Sequence, residues 1–397
     1  KKTGKQKVYS RLSLMPEIVI GKIGVGLDLN FYFDEDNRLR KEDWDSWDDI
    51  PKKIVYVRYG QKRDPLYVFL GGFRAVSIGH GLIMNRYSNM LEFPDVRKLG
   101  FELDIDRGKW GFESVITDLN RVDVFGARPY LRPFRLLGIN PPVINKLAVG
   151  FTSVVDRNPN SDKSVGAFGK DDDWVSVSGL DLDLPVLEKK AFSMLAFADI
   201  ARLSLGKAYD VGVTTQPKSG GMGYAFGFTG NLLVLFNYRL EYRAVENNFV
   251  AGYFDTYYDR DRDTKAWSIS PKRKPFKKGP YAELTLNLMN KINFILCYED
   301  YNLDPADYYP AIHSEFVIDP ALLFNKYSFS FAFDKRNVRF KRLFKLDENT
   351  LVTTQVGYQL GGNVSLIVTN KKTFAYDPVE KKYKSVTRTN IETKLQF

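Results

Sequence analysis

The chain has 397 residues, 58 Lys plus Arg against 48 Asp plus Glu, a net charge of +10 and a mean hydropathy of −0.30. Its longest unbroken apolar stretches are pieces such as residues 232–236, far short of the ~18–20 residues a membrane-crossing helix requires. Basic and acidic residues are interleaved, with no recognition helix or zinc-ligand spacing to focus them, which sets aside a nucleic-acid partner.

In chain order, a polar start (Lys1, Lys2, Lys5) is read as a tail or truncated linker before residue 8. The first long strand is predicted over residues 19–33. Val19, Gly21, Ile23, Val25, Leu27, Leu29, Phe31 and Phe33 make one face, and Lys22, Gly24, Gly26, Asp28, Asn30 and Tyr32 the other. A helical stripe would mix Asp28 and Asn30 into the apolar side, so the period is two. A polar excursion over 34–53 comes next. It carries Trp44 and Trp47 among acidic neighbours, a pairing suited to a rim anchor or a constriction loop. Gly79-His80-Gly81 reads as a flexible kink in a strand.

Leu99, Phe101, Leu103 and Ile105 then alternate with Glu102, Asp104 and Asp106, and Leu147, Val149 and Phe151 obey the same rule. Residues 156–162 place oxygen ligands at alternate positions. A calcium loop also needs glycine at its sixth position and Glu at its twelfth, where this chain has Ala167, so a solvated loop over 157–173 is expected. Leu180, Leu182 and Leu184 alternate with Asp181 and Asp183 up to Pro185, which demotes the next few residues to a bulge, edge or turn. Phe236, Tyr238, Leu240 and Tyr242 alternate with Asn237, Arg239, Glu241 and Arg243. The excursion over 255–279 is polar, and its alternating run from Asp259 to Asp263 reads as surface charge.

Beyond it, Ala282, Leu284, Leu286 and Leu288 lead through a three-residue turn (289–291) to Ile292, Phe294, Leu296 and Tyr298, with Cys297 on the opposite, inward side. Tyr327, Phe329, Phe331 and Phe333 lead through a four-residue loop (334–337) to Val338, Phe340 and Phe344. Arg339, Lys341 and Lys345 then point inward. Val352, Thr354, Val356, Tyr358 and Leu360 continue the pattern. The chain closes with Ile391, Thr393, Leu395 and Phe397 against Asn390, Glu392, Lys394 and Gln396.

A mean hydropathy this low is compatible with crossing a bilayer by strands, since only alternate residues need face lipid. The 29 Phe, 23 Tyr and 5 Trp suit aromatic girdles at the membrane boundaries, the lesser alternative being the cross-strand pairs of a soluble β-sandwich. The terminal strand with its final aromatic resembles the closing strand of Gram-negative outer-membrane β-barrels, without the glycine that commonly precedes it. That resemblance implies insertion by a barrel-assembly machine and residence in an outer membrane. The expected fold is therefore all-β: one closed antiparallel transmembrane up-and-down β-barrel over 1–397, of about 16 strands (roughly 14–18), with long loops on one side.

Function is less legible. His80 and His313 are the only histidines, adjacent strand residues point to opposite faces, and P-loop, Cys-x-x-Cys and His-Glu-x-x-His motifs are absent. No catalytic, cofactor-binding or metal residues are predicted, and no enzyme. The informative residues are the inward charges Lys22, Asp28, Glu102, Asp104, Asp106, Arg239, Glu241, Arg243, Arg339, Lys341 and Lys345. Facing lipid would cost ~2–4 kcal/mol for each Arg or Lys at the midplane, so they are expected to line the lumen. Left in open space, they make a porin-like channel for passive diffusion of small solutes or ions. Paired across it, they make a plugged structural or partner-binding barrel that anchors a larger outer-membrane assembly. A transporter of hydrophobic molecules is a further alternative, on the strength of the Gly79–Gly81 kink. Expected partners are the bilayer and its anionic headgroups, the assembly machinery and other envelope proteins.

Overall fold

A computed structural model describes residues 10–14, 17–27, 29–34, 38, 53–62, 64–73, 75–90, 98–159, 173–189, 191–206, 220–233, 235–256, 258–269, 276–288, 292–301, 310–318, 322–323, 326–338, 340–361, 364–377, 380 and 382–395. The chain is all-β with very little helix, and its strands belong overwhelmingly to a large antiparallel sheet. The amino-terminal strands are short: β1 (Ser10–Leu14), β2 (Glu17–Ile20), β3 (Ile23–Leu27), β4 (Leu29–Phe33), β5 (Ile54–Tyr59) and β6 (Leu66–Gly71). A small hairpin, β7 (Val76–Ile78) and β8 (Met84–Tyr87), forms a separate two-stranded sheet. Next come β9 (Gly100–Asp106), β10 (Trp110–Ile116), β11 (Val124–Leu131), β12 (Ala148–Asp156), β13 (Val175–Lys189), β14 (Phe192–Leu205), β15 (Met222–Leu232) and β16 (Phe236–Val245). The rest are β17 (Lys277–Leu288), β18 (Ile292–Glu299), β19 (Ala311–Ile318), β20 (Tyr327–Lys335), β21 (Thr350–Gly361), β22 (Val364–Asp377) and β23 (Lys382–Leu395).

The described strands therefore number 23, more than the sequence pattern suggested, for two local reasons. The alternation over 19–33 is not one strand. Gly21 has φ +60°, a left-handed conformation open to glycine at little steric cost, and it turns the chain so that β2 pairs back on β3, Val19 opposite Gly24. The second reason is β7–β8, whose connecting residues Gly79 and Gly81 have φ +57° and +85°. What the sequence presented as a kink in a wall strand is the tip of this separate hairpin. Pro185 does sit at a bulge, where the β13–β14 register slips between Pro185 and Leu187, but the strand runs on to Lys189.

The chain divides into two compact units. Unit 1 comprises residues 1–57, 284–297 and 309–397. In it β19 to β23 pair antiparallel in succession, β1 pairs antiparallel with β4, and β1 meets β23 in parallel at Ser13–Lys394 and Leu14–Leu395. Cys297 is buried, in keeping with its inward parity. Gln396 and Phe397 lie outside the described residues. Unit 2 comprises residues 58–283 and 298–308, and in it β6 and then β9 through β16 form one continuous antiparallel ladder. The hydrophobic core cluster belongs wholly to unit 2.

Candidate functional site

The two faces of the β12–β16 ladder differ in chemistry because side chains alternate and register is in phase. On the outward face, Phe151, Leu180, Ile200 and Tyr224 stand opposite one another across four strands. Two residues along, Leu182, Ala198, Phe226 and Tyr242 make a second row, and Leu184, Ala196, Phe228 and Leu240 a third. These rows are open: Leu180 is 55% exposed, Phe226 59% and Leu240 52%. A sandwich would cover such a face, and monomeric soluble proteins rarely expose contiguous apolar patches beyond a few hundred Å². Along β15 the apolar positions run from Tyr224 to Leu232, close to the ~9–11 residues a strand needs to cross a bilayer.

On the inward face the register sets Asp181 directly opposite Asp199, an arrangement that is destabilising unless neutralised. Two cations do so. Arg128 of β11 bonds Asp181 (Nη2–Oδ1 2.5 Å), Asp183 (2.9 Å) and Glu113 (2.7 Å). His80, at the tip of the β7–β8 hairpin, places Nδ1 2.8 Å from Asp199 and stacks on Phe197 with ring centroids 4.4 Å apart. Beside it the Gly79 N–H donates to Glu113. Burial alone would depress the His80 pKa, but the hydrogen bond and charge of Asp199 outweigh it, and the net shift is upward.

The β7–β8 hairpin belongs to an in-folded segment, residues 73–90, that packs on this face together with a second one, residues 248–269. Their backbones join through Asn85 N–H to Phe254 O (3.0 Å) and Gly252 N–H to Leu82 O (2.8 Å). Phe73, Ile78, Met84, Phe249, Phe254 and Tyr258 lie in one core cluster with the inward Val115, Val154, Val177 and Leu203. Gly223 of β15 makes room for this packing, since a Cβ there would come within 2.3 Å of the Phe249 ring.

The short helix Tyr258–Lys265 is held by charge. Arg262 grips the fully buried Asp156 through two hydrogen bonds of 2.6 and 2.5 Å, and Tyr258 donates to the same carboxylate at 2.7 Å. Burial and the Asp156 charge push the Tyr258 hydroxyl well above its ordinary pKa, so it stays a donor. Asp259 accepts from Tyr87 (2.8 Å) and Lys98 (2.7 Å). These facts correct two sequence expectations. The 259–263 run is not merely surface charge, and Asp156 is a buried anchor whose oxygens are taken by Arg262 and Tyr258; residues 160–172 lie outside the described residues.

The predicted lumen residues fall into three groups. Glu102, Asp104, Asp106, Arg239, Glu241 and Arg243 share the inward face, and each has a partner. Lys62 pairs with Glu102 and Asp104, and Arg132 with Asp106. Glu241 lies between Arg239 and Arg243, Arg243 reaches Glu299 at 2.8 Å, and its guanidinium lies 3.9 Å from the Tyr281 ring centroid. Lys22, Lys341 and Lys345 form the second group and sit on no strand face. Lys22 is exposed in the β2–β3 turn. Lys341 and Lys345 are exposed in the connection after β20, where Phe340–Arg342 forms a 3-10 turn; this connection runs to Thr350 rather than closing in four residues. Asp28 and Arg339 make the third group, outside the described residues, where the predicted rim or constriction residues Trp44 and Trp47 also fall. Sequence reasoning missed His80, Arg128, Asp199, Asp156 and Arg262. The available signal was the inward parity of Asp181 and Asp183, which demands counter-charges from elsewhere.

At the Lys189–Phe192 end of β13 and β14, a cavity of about 550 Å³ is lined by Leu187, Ser193, Asn231, Asn237, Tyr238 and Arg239, among others. Arg239 also reaches Asn85 of the hairpin at 3.4 Å. His313, in unit 1, bonds Asp334 at 2.6 Å.

No protein-family model matches the chain, and no curated protein matches its sequence. Among solved structures, P. aeruginosa FpvA in complex with a heterologous pyoverdine and iron is similar over 97% of this chain and 64% of that one, at 9% identity and a TM-score of 0.37. BauA, the ferric preacinetobactin receptor of Acinetobacter baumannii, is similar over 98% and 59%, at 10% identity and a TM-score of 0.24. The P. putida toluene transporter TodX is similar over 96% and 86%, at 8% identity and a TM-score of 0.22. The chain spans less than two thirds of the length of the first two. Likenesses this distant identify neither a family nor a ligand for it.

Proposed function

We propose that the chain is an outer-membrane β-barrel transporter whose interior is held shut by its own in-folded segments, rather than a porin with a standing open lumen. The observation that carries this reading is the contrast across β12–β16: exposed apolar rows outward, and inward carboxylates neutralised by His80, Arg128 and Arg262 under a packed core. A free-diffusion pore would leave such groups to water. The cavity bordered by Arg239 favours transport over a purely structural barrel, because it places open volume in the same unit as the polar network. Closure of the sheet into a cylinder, and insertion by an assembly machine, are parts of the same proposal.

Planar-bilayer recording of the refolded chain tests it. The wild type should insert and stay mostly silent, and Arg128→Ala combined with His80→Ala should produce discrete openings. A wild type that conducts steadily would return the reading to a porin, and a double variant as silent as the parent would favour a structural barrel.

A further inference from the structure

We infer that residues 132–147, which connect β11 to β12, are an interfacial anchor that lies in the headgroup boundary of the leaflet at that end and binds anionic lipid. The inference rests on the lipid-facing reading of β12–β16.

This connection contains three basic residues and no acidic one. It folds as two single turns, Pro133–Leu136 and Ile144–Lys146, neither of which buries a side chain. Leu137 is 72% exposed and Ile139 50%, and Leu136, Val143 and Ile144 are exposed beside them. An ordered loop facing water has no reason to hold five large apolar groups out together. At a membrane interface, amphipathic segments gain by seating such groups just inside the acyl boundary.

Its position supports that occupant over a protein partner. The connection is fastened at both ends to the apolar wall. The Arg132 N–H donates to Lys109 O (2.8 Å) and Arg135 Nη1 to Gly108 O (3.2 Å), while Lys146 pairs with Glu188 at the end of β13. It then runs directly into β12, whose Phe151 belongs to the outward apolar rows. In the β9–β10 turn to which it is tied, Arg107 and Lys109 are exposed. Next to that turn, Trp110 and Leu131 stand opposite each other and are both exposed. Tryptophan and basic side chains together at the edge of an apolar band are the composition of a membrane–water boundary, and Arg107, Lys109 and Arg135 match anionic headgroups in charge.

The test uses the full chain refolded into vesicles of zwitterionic lipid, with and without an anionic lipid. It carries Cys297→Ala and an environment-sensitive fluorophore at Leu137→Cys or Phe226→Cys. A headgroup-attached spin label should quench position 137 about twofold more than a label deep in the acyl chain, with the order reversed at 226. The anionic lipid should raise quenching at 137, and Lys109→Gln with Arg135→Gln should abolish that rise without changing position 226. Lipid quenching at 137 that ignores the anionic lipid overturns the headgroup assignment. If aqueous iodide reaches 137 while 226 is lipid-quenched, the anchor is overturned in favour of a seat for a protein partner, and the lipid-facing wall stands. Iodide access at both positions overturns the wall and the anchor together.

Discussion

Units 1 and 2 share the same two-residue alternation but treat their inward charges differently. In unit 2, Asp156, Asp181 and Asp199 lie against residues 73–90 and 248–269 and are neutralised by Arg262, Arg128 and His80, while the buried Glu241 and Arg243 pair with each other and with Arg239 and Glu299. In unit 1, the buried cation Lys335 is satisfied locally by Lys345 O and Asp347 of the connection just after its own strand and by Thr350 at the start of the next, and among the described residues none joins the core cluster. Alternation sorts residues to faces, but whether a face is filled depends on segments that do not alternate. Asp156 and Asp199 are met by Arg262 and His80, brought from more than 100 residues away along the chain.

The largest expected effect tests that difference directly. Asp156→Ala removes the carboxylate that Arg262 bonds twice and Tyr258 once, leaving Asp123 at 3.4 Å as a counter-charge, and removing one partner of a buried pair costs about 3–5 kcal/mol. Urea unfolding in detergent should show this as a clear loss of midpoint, and a shift indistinguishable from wild type would remove the network from the account. Phe226→Arg probes the other face. If those rows meet lipid, the vesicle-refolded protein should lose ~2–4 kcal/mol, whereas an aqueous face would tolerate arginine freely.

The His80 contact adds a pH dependence. The folded pKa lies above the ordinary 6.5, so the contribution is fully present below that value and fades as pH rises through the higher folded value. Protection of the amides in residues 73–90, taken relative to the intrinsic exchange rate at each pH, should fall as pH rises above 6.5. His80→Asn should flatten the profile, and the same slope in that variant would assign the effect elsewhere. The smallest change is expected in unit 1. Asp347→Ala leaves Lys335 its bonds to Lys345 O and Thr350, so a loss of about 1.5–2 kcal/mol, one hydrogen bond to a charged group, is predicted. A loss as large as that of Asp156→Ala would erase the contrast between the units.

The strands and their faces were legible because alternation is a local property. Leu180 against Asp181, Leu240 against Glu241 and Phe101 against Glu102 all fall on the expected sides. The failures have physical causes. The sequence over 19–33 alternates without interruption, yet Gly21 permits a left-handed turn that hydropathy does not register. Gly79-His80-Gly81 looks like slack in a wall, and its meaning depends on Asp199, 119 residues away. Arg262 sits in a polar run suited to solvent, and only the proximity of Asp156 turns it into a core residue. Tight long-range pairing leaves no periodic trace.

Ala225 and Phe226 are neighbours on β15 that point to opposite faces, one buried and the other open. Single cysteines at the two positions, in a Cys297→Ala background and in lipid vesicles, can be timed against a membrane-impermeant maleimide and a lipid-soluble one. The account predicts that position 226 resists the impermeant reagent and reacts with the lipid-soluble one alone, slowly because a thiol in hydrocarbon seldom ionises, and that position 225 resists both. Rapid labelling of 225 by the impermeant reagent would mean a water-filled interior. Rapid labelling of 226 by that reagent would mean a face that never met lipid.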